Sequence, residues 1–158
     1  MAIAVRKGIR ISGVFLFGSY VFGLIYYLFF AESYGRGMTH SIYNANFLPF
    51  REIRRYIVWH EVLGMHTVWT NLAGNIIGFV PFGALLPLLV KGARNTWKVI
   101  LLGMEISTLV EISQLCLRVG CFDVDDIILN TTGAFLGYIC YIIASKSYLY
   151  VERKSIQS

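Results

Sequence analysis

The chain has 158 residues; 56% are hydrophobic types, only 15% are charged, and the mean hydropathy is +0.62. Water-soluble domains carry about 25% charged residues, so this chain lacks the polar surface of a soluble globule and is too apolar for a disordered one. The net charge of +5, from 14 Lys+Arg against 9 Asp+Glu, is distributed between apolar runs with no basic stretch interleaved with aromatics. It points to membrane topology and anionic lipid, and away from nucleic acid.

A spanning helix needs about 20 mostly apolar residues. Residues 11–31 contain no charge and form the first candidate. Arg6, Lys7 and Arg10 precede it as in a signal peptide, but the run exceeds the usual ~7–15 apolar residues of such signals and ends on a poor cleavage sequence, so it is read as a retained helix. Residues 62–90 are charge-free, with the membrane part expected over 71–90. Residues 97–117 are apolar apart from Glu105 and Glu111, and form the third span. Residues 126–145 form the fourth, charge-free from 127 onward. The fold class is therefore an all-α integral membrane protein with four transmembrane helices in one domain over 1–158. In the long first loop, 32–69, Arg51, Arg54 and Arg55 alternate with Phe50, Ile53, Tyr56, Ile57 and Trp59. That suits either a short interfacial helix or a solvated loop.

Four spans put both termini on one side. Arg6, Lys7, Arg10, Lys91, Arg94, Lys98, Lys146, Arg153 and Lys154 fall there; Arg36, Arg51, Arg54, Arg55 and Arg118 fall on the other. The positive-inside rule makes the first side cytoplasmic.

Polar residues inside the spans carry the functional information, because an ionised group at mid-bilayer costs roughly 2.5–3.5 kcal/mol on insertion scales. At 100° per residue, Ser107, Glu111, Gln114 and Arg118 fall within a wedge of about 60°. Glu105 points nearly opposite and needs its own partner or a raised pKa. Asn71, Asn75, Gly78 and Phe82 share a face of the second span, where Pro81 should leave a carbonyl for neighbouring groups to satisfy. Asp126, Asn130, Gly133 and Gly137 share a face of the fourth, with Asp123 near it and Asp125 pointing elsewhere. The strongest of these residues all lie toward the outer leaflet. The expected ligand-binding set is Asn71, Asn75, Glu111, Gln114, Arg118, Asp123, Asp126 and Asn130. Its structural alternative is helix–helix hydrogen bonding, with Glu111–Arg118 as an ion pair.

Other motifs fail. His60-Glu61 opens like a zinc-protease helix, but position 64 is Gly and His66 is wrongly spaced. No phosphate-binding glycine loop or nucleophile elbow is present, and no metal or cofactor is expected. Cys116, Cys121 and Cys140 show no disulfide framework.

The motifs together resemble the VanZ-like family of bacterial membrane proteins. The resemblance runs through Asn46-Phe47-Leu48-Pro49-Phe50, then Asn71 to Gly83 with Asn75, Phe79, Pro81 and Phe82. It continues in Ser107-x-x-x-Glu111-x-x-Gln114, Arg118, Asp123-Val-Asp-Asp126, Asn130-x-x-Gly133 and Gly137. Glu105 stands outside that pattern. The resemblance covers about 10–145. It implies a place in the bacterial cytoplasmic membrane and tolerance to lipid-bearing glycopeptide antibiotics of the teicoplanin type. Two readings follow. A non-catalytic factor would bind an envelope lipid, a lipid-linked cell-wall precursor or the drug at the polar cluster. An enzyme would use Glu111 or Asp126 as general base and Arg118 to stabilise developing charge. A transporter is a third, weaker reading, because four spans are few for one monomer; oligomerisation is left open.

Overall fold

The computed structural model describes residues 2–31 and 45–157; the expected loop's stretch 32–44, with Arg36, lies outside the described residues. Among the described residues six α-helices follow in order: α1 Ala2–Tyr26, α2 Arg51–Val58, α3 His60–Leu63, α4 Met65–Leu89, α5 Thr96–Leu117 and α6 Val124–Gln157. A π-helical turn, Tyr27–Ala31, continues α1, and a 3-10 turn, Lys91–Ala93, joins α4 to α5. Four stretches are long and apolar enough to cross a membrane: Ile11–Phe29, Met65–Leu89, Thr96–Leu117 and Val124–Tyr148. The molecule is a multi-pass membrane protein.

Local chemistry sets the boundaries. Gly64 separates α3 from α4 with φ 82°, a conformation that side-chain-bearing residues avoid. α4 therefore starts at Met65, six residues before the expected span. The extra turns carry His66, Thr67 and Thr70, which suit a helix entering from the headgroup layer. Asn95 caps α5, its side chain accepting from the Trp97 N–H at 2.9 Å and the Lys98 N–H at 3.4 Å. Asp123 caps α6 by accepting the Asp125 N–H at 2.9 Å. The acids Asp125 and Asp126 in the first turn favour the helix dipole.

Contacts fix the directions of the helices. On α6, Gly133 lies against the Ile76 carbonyl and Gly137 against the Val80 carbonyl; on α4, Gly83 lies against the Ala134 carbonyl and the Tyr138 N–H. The two helices therefore run parallel with their backbones touching, the geometry that small residues permit between membrane helices. α5 runs antiparallel to α6, with Gly103 against Ala134 and Ser107 against Asn130. α1 runs antiparallel to α4, with Gly13 beside Leu89 and Tyr27 beside Gly74. α1 is the peripheral helix, only 6% of its span being buried. The core is Phe79, Phe82, Val99, Ala134 and Tyr138.

The expected stripe Asn71, Asn75, Gly78, Phe82 on α4 is divided between two neighbours. Asn75, Phe79 and Gly83 are buried on the side that meets α6, whereas Gly78 faces Leu24 and Tyr20 of α1. Pro81 lacks the N–H that would serve the Ile77 carbonyl. The Tyr20 hydroxyl enters this weakened turn but donates to the next carbonyl, that of Gly78, at 2.7 Å. Cys116, Cys121 and Cys140 are not bridged.

Candidate functional site at the polar end of the bundle

One end of the bundle collects the start of α4, the end of α5 and the start of α6; we call it the polar end. The other carries Lys91, Arg94 and Lys98, and we call it the basic end. At the polar end, Asn46 reaches the α5–α6 turn as a single parallel β-bridge to Asp123. Asn46 N–H donates to the Phe122 carbonyl at 2.8 Å, and Val124 N–H donates to the Asn46 carbonyl at 3.0 Å. Phe47 stacks on Phe122 with ring centroids 5.2 Å apart. The Asn46 side chain folds back to accept the Leu48 N–H, the Asx turn expected of asparagine in a loop.

This bridge delivers an amide to a carboxylate. Asn46 Nδ2 donates to Asp123 Oδ1 at 2.9 Å, and the Asp123 N–H donates to Glu111 Oε2 at 2.8 Å. One turn deeper, Asn75 Nδ2 donates to Asp126 Oδ1 at 2.6 Å. One turn deeper again, Asn130 Nδ2 donates to Ser107 Oγ at 2.8 Å. Positions 123, 126 and 130 advance by three and four residues, so they line one face of the α6 entry. The result is a file of buried polar groups running from the polar end into the span, in which each carboxylate accepts from an amide or a backbone N–H. Asn130 Oδ1 and Thr131 Oγ1 are buried there without a hydrogen-bond partner among the described residues. Burial pushes the Asp123 carboxyl above the usual carboxylate range, while the Asn46 amide and Asp125 N–H pull it back and the nearby Asp125 and Glu52 carboxyls add to the rise.

Asp125 belongs to a different arrangement. It is 1% exposed and turned to the start of α2. Its Oδ1 accepts the Phe50 N–H through a short bond, and its Oδ2 accepts from Glu52 at 2.7 Å and Ile53 at 3.1 Å. A carboxylate from α6 thus caps α2, whose own preceding residue, Phe50, makes no side-chain cap. Anchored so, α2 buries Tyr56 and leaves Arg51, Arg54 and Arg55 exposed beside exposed Ile57 and Trp59. Arg55 pairs with Glu52 and lies over the Tyr56 ring.

The expected residues divide accordingly. Asn75, Glu111, Asp123, Asp126 and Asn130 join the polar file. Gln114 is buried beside it, but its Nε2 donates to the Leu28 carbonyl at 2.7 Å and ties α5 to α1. Asn71 is half-buried and donates to Thr67 of its own helix. Arg118 leaves the stripe. It ends α5 in the left-handed conformation, φ 57°, so the 100° progression stops and its exposed side chain makes no hydrogen bond or ion pair with the described residues. The expected Glu111–Arg118 pair is therefore replaced by Glu111 accepting the Asp123 N–H. Glu105 is exposed on the far side of α5 and has no partner among the described residues. Asn46, Ser107 and Asp125 are the buried polar groups the expected set omitted. Among the described residues, no three His, Cys, Asp or Glu side chains converge to hold a metal.

Residues 17–145 match the model of the VanZ/LLP1 family. The chain belongs to that family. It is also 36% identical over 76 residues to Protein VanZ of Enterococcus faecium, a stretch covering 48% of this chain and 47% of that protein. The match thus spans about half the length of this curated relative. No solved structure matches the chain. The matched residues include the second and third spanning stretches whole, most of the first and fourth, and every residue of the polar file.

Proposed function

We propose that this chain lowers bacterial susceptibility to lipid-bearing glycopeptide antibiotics by binding an envelope lipid, or the drug itself, at the polar end of its bundle. The observation that carries the reading is the file of Glu111, Asp123 and Asp126 with Asn46, Asn75 and Asn130, all buried. Three carboxylates in one apolar bundle exceed what helix pairing requires, and burying them is a costly arrangement unless used. Carboxylates and amides suit an ammonium or sugar hydroxyls, and exposed Arg51, Arg54 and Arg118 suit a phosphate at the rim. The positive-inside rule puts the basic end in the cytoplasm, both termini with it, and the polar end outside. Family membership and the likeness to Protein VanZ support the resistance role.

The test is expression in a susceptible bacterium, reading growth against teicoplanin and against vancomycin. Tolerance to teicoplanin alone is expected. Glu111→Gln and Asp126→Asn keep an acceptor for Asp123 and Asn75 and should keep tolerance, while Glu111→Trp should abolish it. Loss of tolerance in both isosteric variants, inserted and folded, would replace binding by proton transfer. Wild-type expression without any tolerance would overturn the reading. With Cys116, Cys121 and Cys140 replaced by alanine, an impermeant maleimide should label Arg118→Cys from outside intact cells; labelling only after lysis would overturn the orientation.

A further inference from the structure

The bundle is not closed between α1 and α5. α1 packs on α4, Phe17 lying 6.3 Å from Phe82 between ring centroids. Beside this contact a cleft of about 620 Å³ remains, floored by Phe82 and Leu86. Its walls run from Phe17 to Phe29 on one side and from Leu102 to Ser113 on the other. At a helical rise of 1.5 Å per residue, the walls are about 18 and 17 Å long. Every lining side chain is apolar except Ser113, whose hydroxyl is spent on the Leu109 carbonyl at 2.7 Å. At the polar end, the Gln114–Leu28 hydrogen bond ties the two walls together. That strut sets their separation.

We propose that this cleft seats one acyl chain of a membrane lipid, with the lipid's polar part at the Gln114 end. All its walls lie in spanning stretches, so its surroundings are hydrocarbon. An empty void of this size would cost as much as the whole stability of such a domain, and water finds no polar partner in it. The volume spread over about 17 Å gives a section of about 36 Å², narrow and continuous along the walls, as an extended acyl chain requires. One leaflet supplies hydrocarbon to half of about 30 Å, close to the length of the walls. The site is separate from the polar file and does not depend on what that file binds.

The experiment uses the full chain in vesicles of phosphatidylglycerol, doped with phosphatidylglycerol carrying a photoactivated diazirine midway along one acyl chain. Labelled positions are mapped by peptide mass spectrometry. Leu24, Ile106 and Val110 should label about tenfold more than Ile77 and Leu101, which are exposed outside the cleft, the ratio corresponding to about 1.4 kcal/mol of preference. Ile106→Trp with Val110→Trp should bring labelling at Leu24 down to the level of Ile77, with the thermal midpoint retained. Equal labelling of Leu24 and Ile77 in the wild-type chain overturns the proposal, as does unchanged Leu24 labelling in the folded double variant. The wild-type ratio decides by itself if that variant misfolds. Because the readout is the chain position, not drug tolerance, its failure leaves the polar-end reading standing, and the converse also holds.

Discussion

Replacing Asp125 with asparagine isolates the link between α6 and α2. The carboxylate serves three backbone N–H groups, those of Phe50, Glu52 and Ile53, across more than 70 residues of sequence. Asparagine keeps one acceptor oxygen and turns an NH2 group toward the other donors, so at least one N–H loses its partner and faces another donor. Hydrogen bonds to charged groups contribute about 1.5–3 kcal/mol each, and loss of an N-cap costs about 0.5–2 kcal/mol. Exposed Phe50 and Arg51 let water take up part of the loss, which puts the cost at about 3 kcal/mol for local opening of α2. Hydrogen exchange by mass spectrometry reads this directly. Protection of the amides at 50–58 should fall about a hundredfold, while those of α4, α5 and the body of α6 hold. Unchanged protection at 50–58 would refute the capping role, and a loss spread evenly through the bundle would refute its local character.

Gly137→Ala places a Cβ against the Val80 carbonyl; the α4–α6 seam must part, and the thermal midpoint in detergent should fall by an amount corresponding to about 1–3 kcal/mol. Gly18→Ala, where a Cβ meets nothing within 4 Å inside α1, is the control and should hold the midpoint or raise it by an amount corresponding to about 0.5–1 kcal/mol. Arg118→Gly removes the steric cost of a left-handed cap and should raise stability by about 1 kcal/mol, read by the same melt. The raised Asp123 carboxyl makes stability pH-dependent. The folded state holds its proton more tightly than the unfolded chain, so this contribution is complete below 3.8 and is lost as pH rises through the raised value. Acidifying from neutrality should therefore stabilise the wild-type chain relative to Asp123→Asn, whose Oδ1 still accepts from Asn46 and Asp125; parallel pH profiles of the two melts would refute it.

The four spans were legible because charge-free runs record the solvent a segment must meet. Helical-face arithmetic also placed Glu111, Asp126 and Asn130 on inward faces, since these stay within regular helix, and set Asp123 near them one residue ahead of α6. It failed at Arg118, where one left-handed residue redirects the side chain, and periodicity gives no sign of such a residue. It grouped Gly78 with Asn75 on one face, but a stripe of small residues does not say which neighbour it will meet: Gly78 meets α1, and Gly83 meets α6. Asn46 and Asp125 were missed as members of the polar end for another reason. Their partners lie 72 to 77 residues away, and only the folded turn between α5 and α6 brings the three segments together.

The last helix also measures the bilayer. Its 34 residues make a rod of about 51 Å, against hydrocarbon about 30 Å thick. Lying wholly inside would demand a lean of more than about 50°, beyond the 0–40° that membrane helices adopt. Its parallel seam with α4 fixes how far it can sink. The surplus turns, carrying Lys154, must stand clear of the lipid as a stalk, and anything fused after them is held away from the membrane surface.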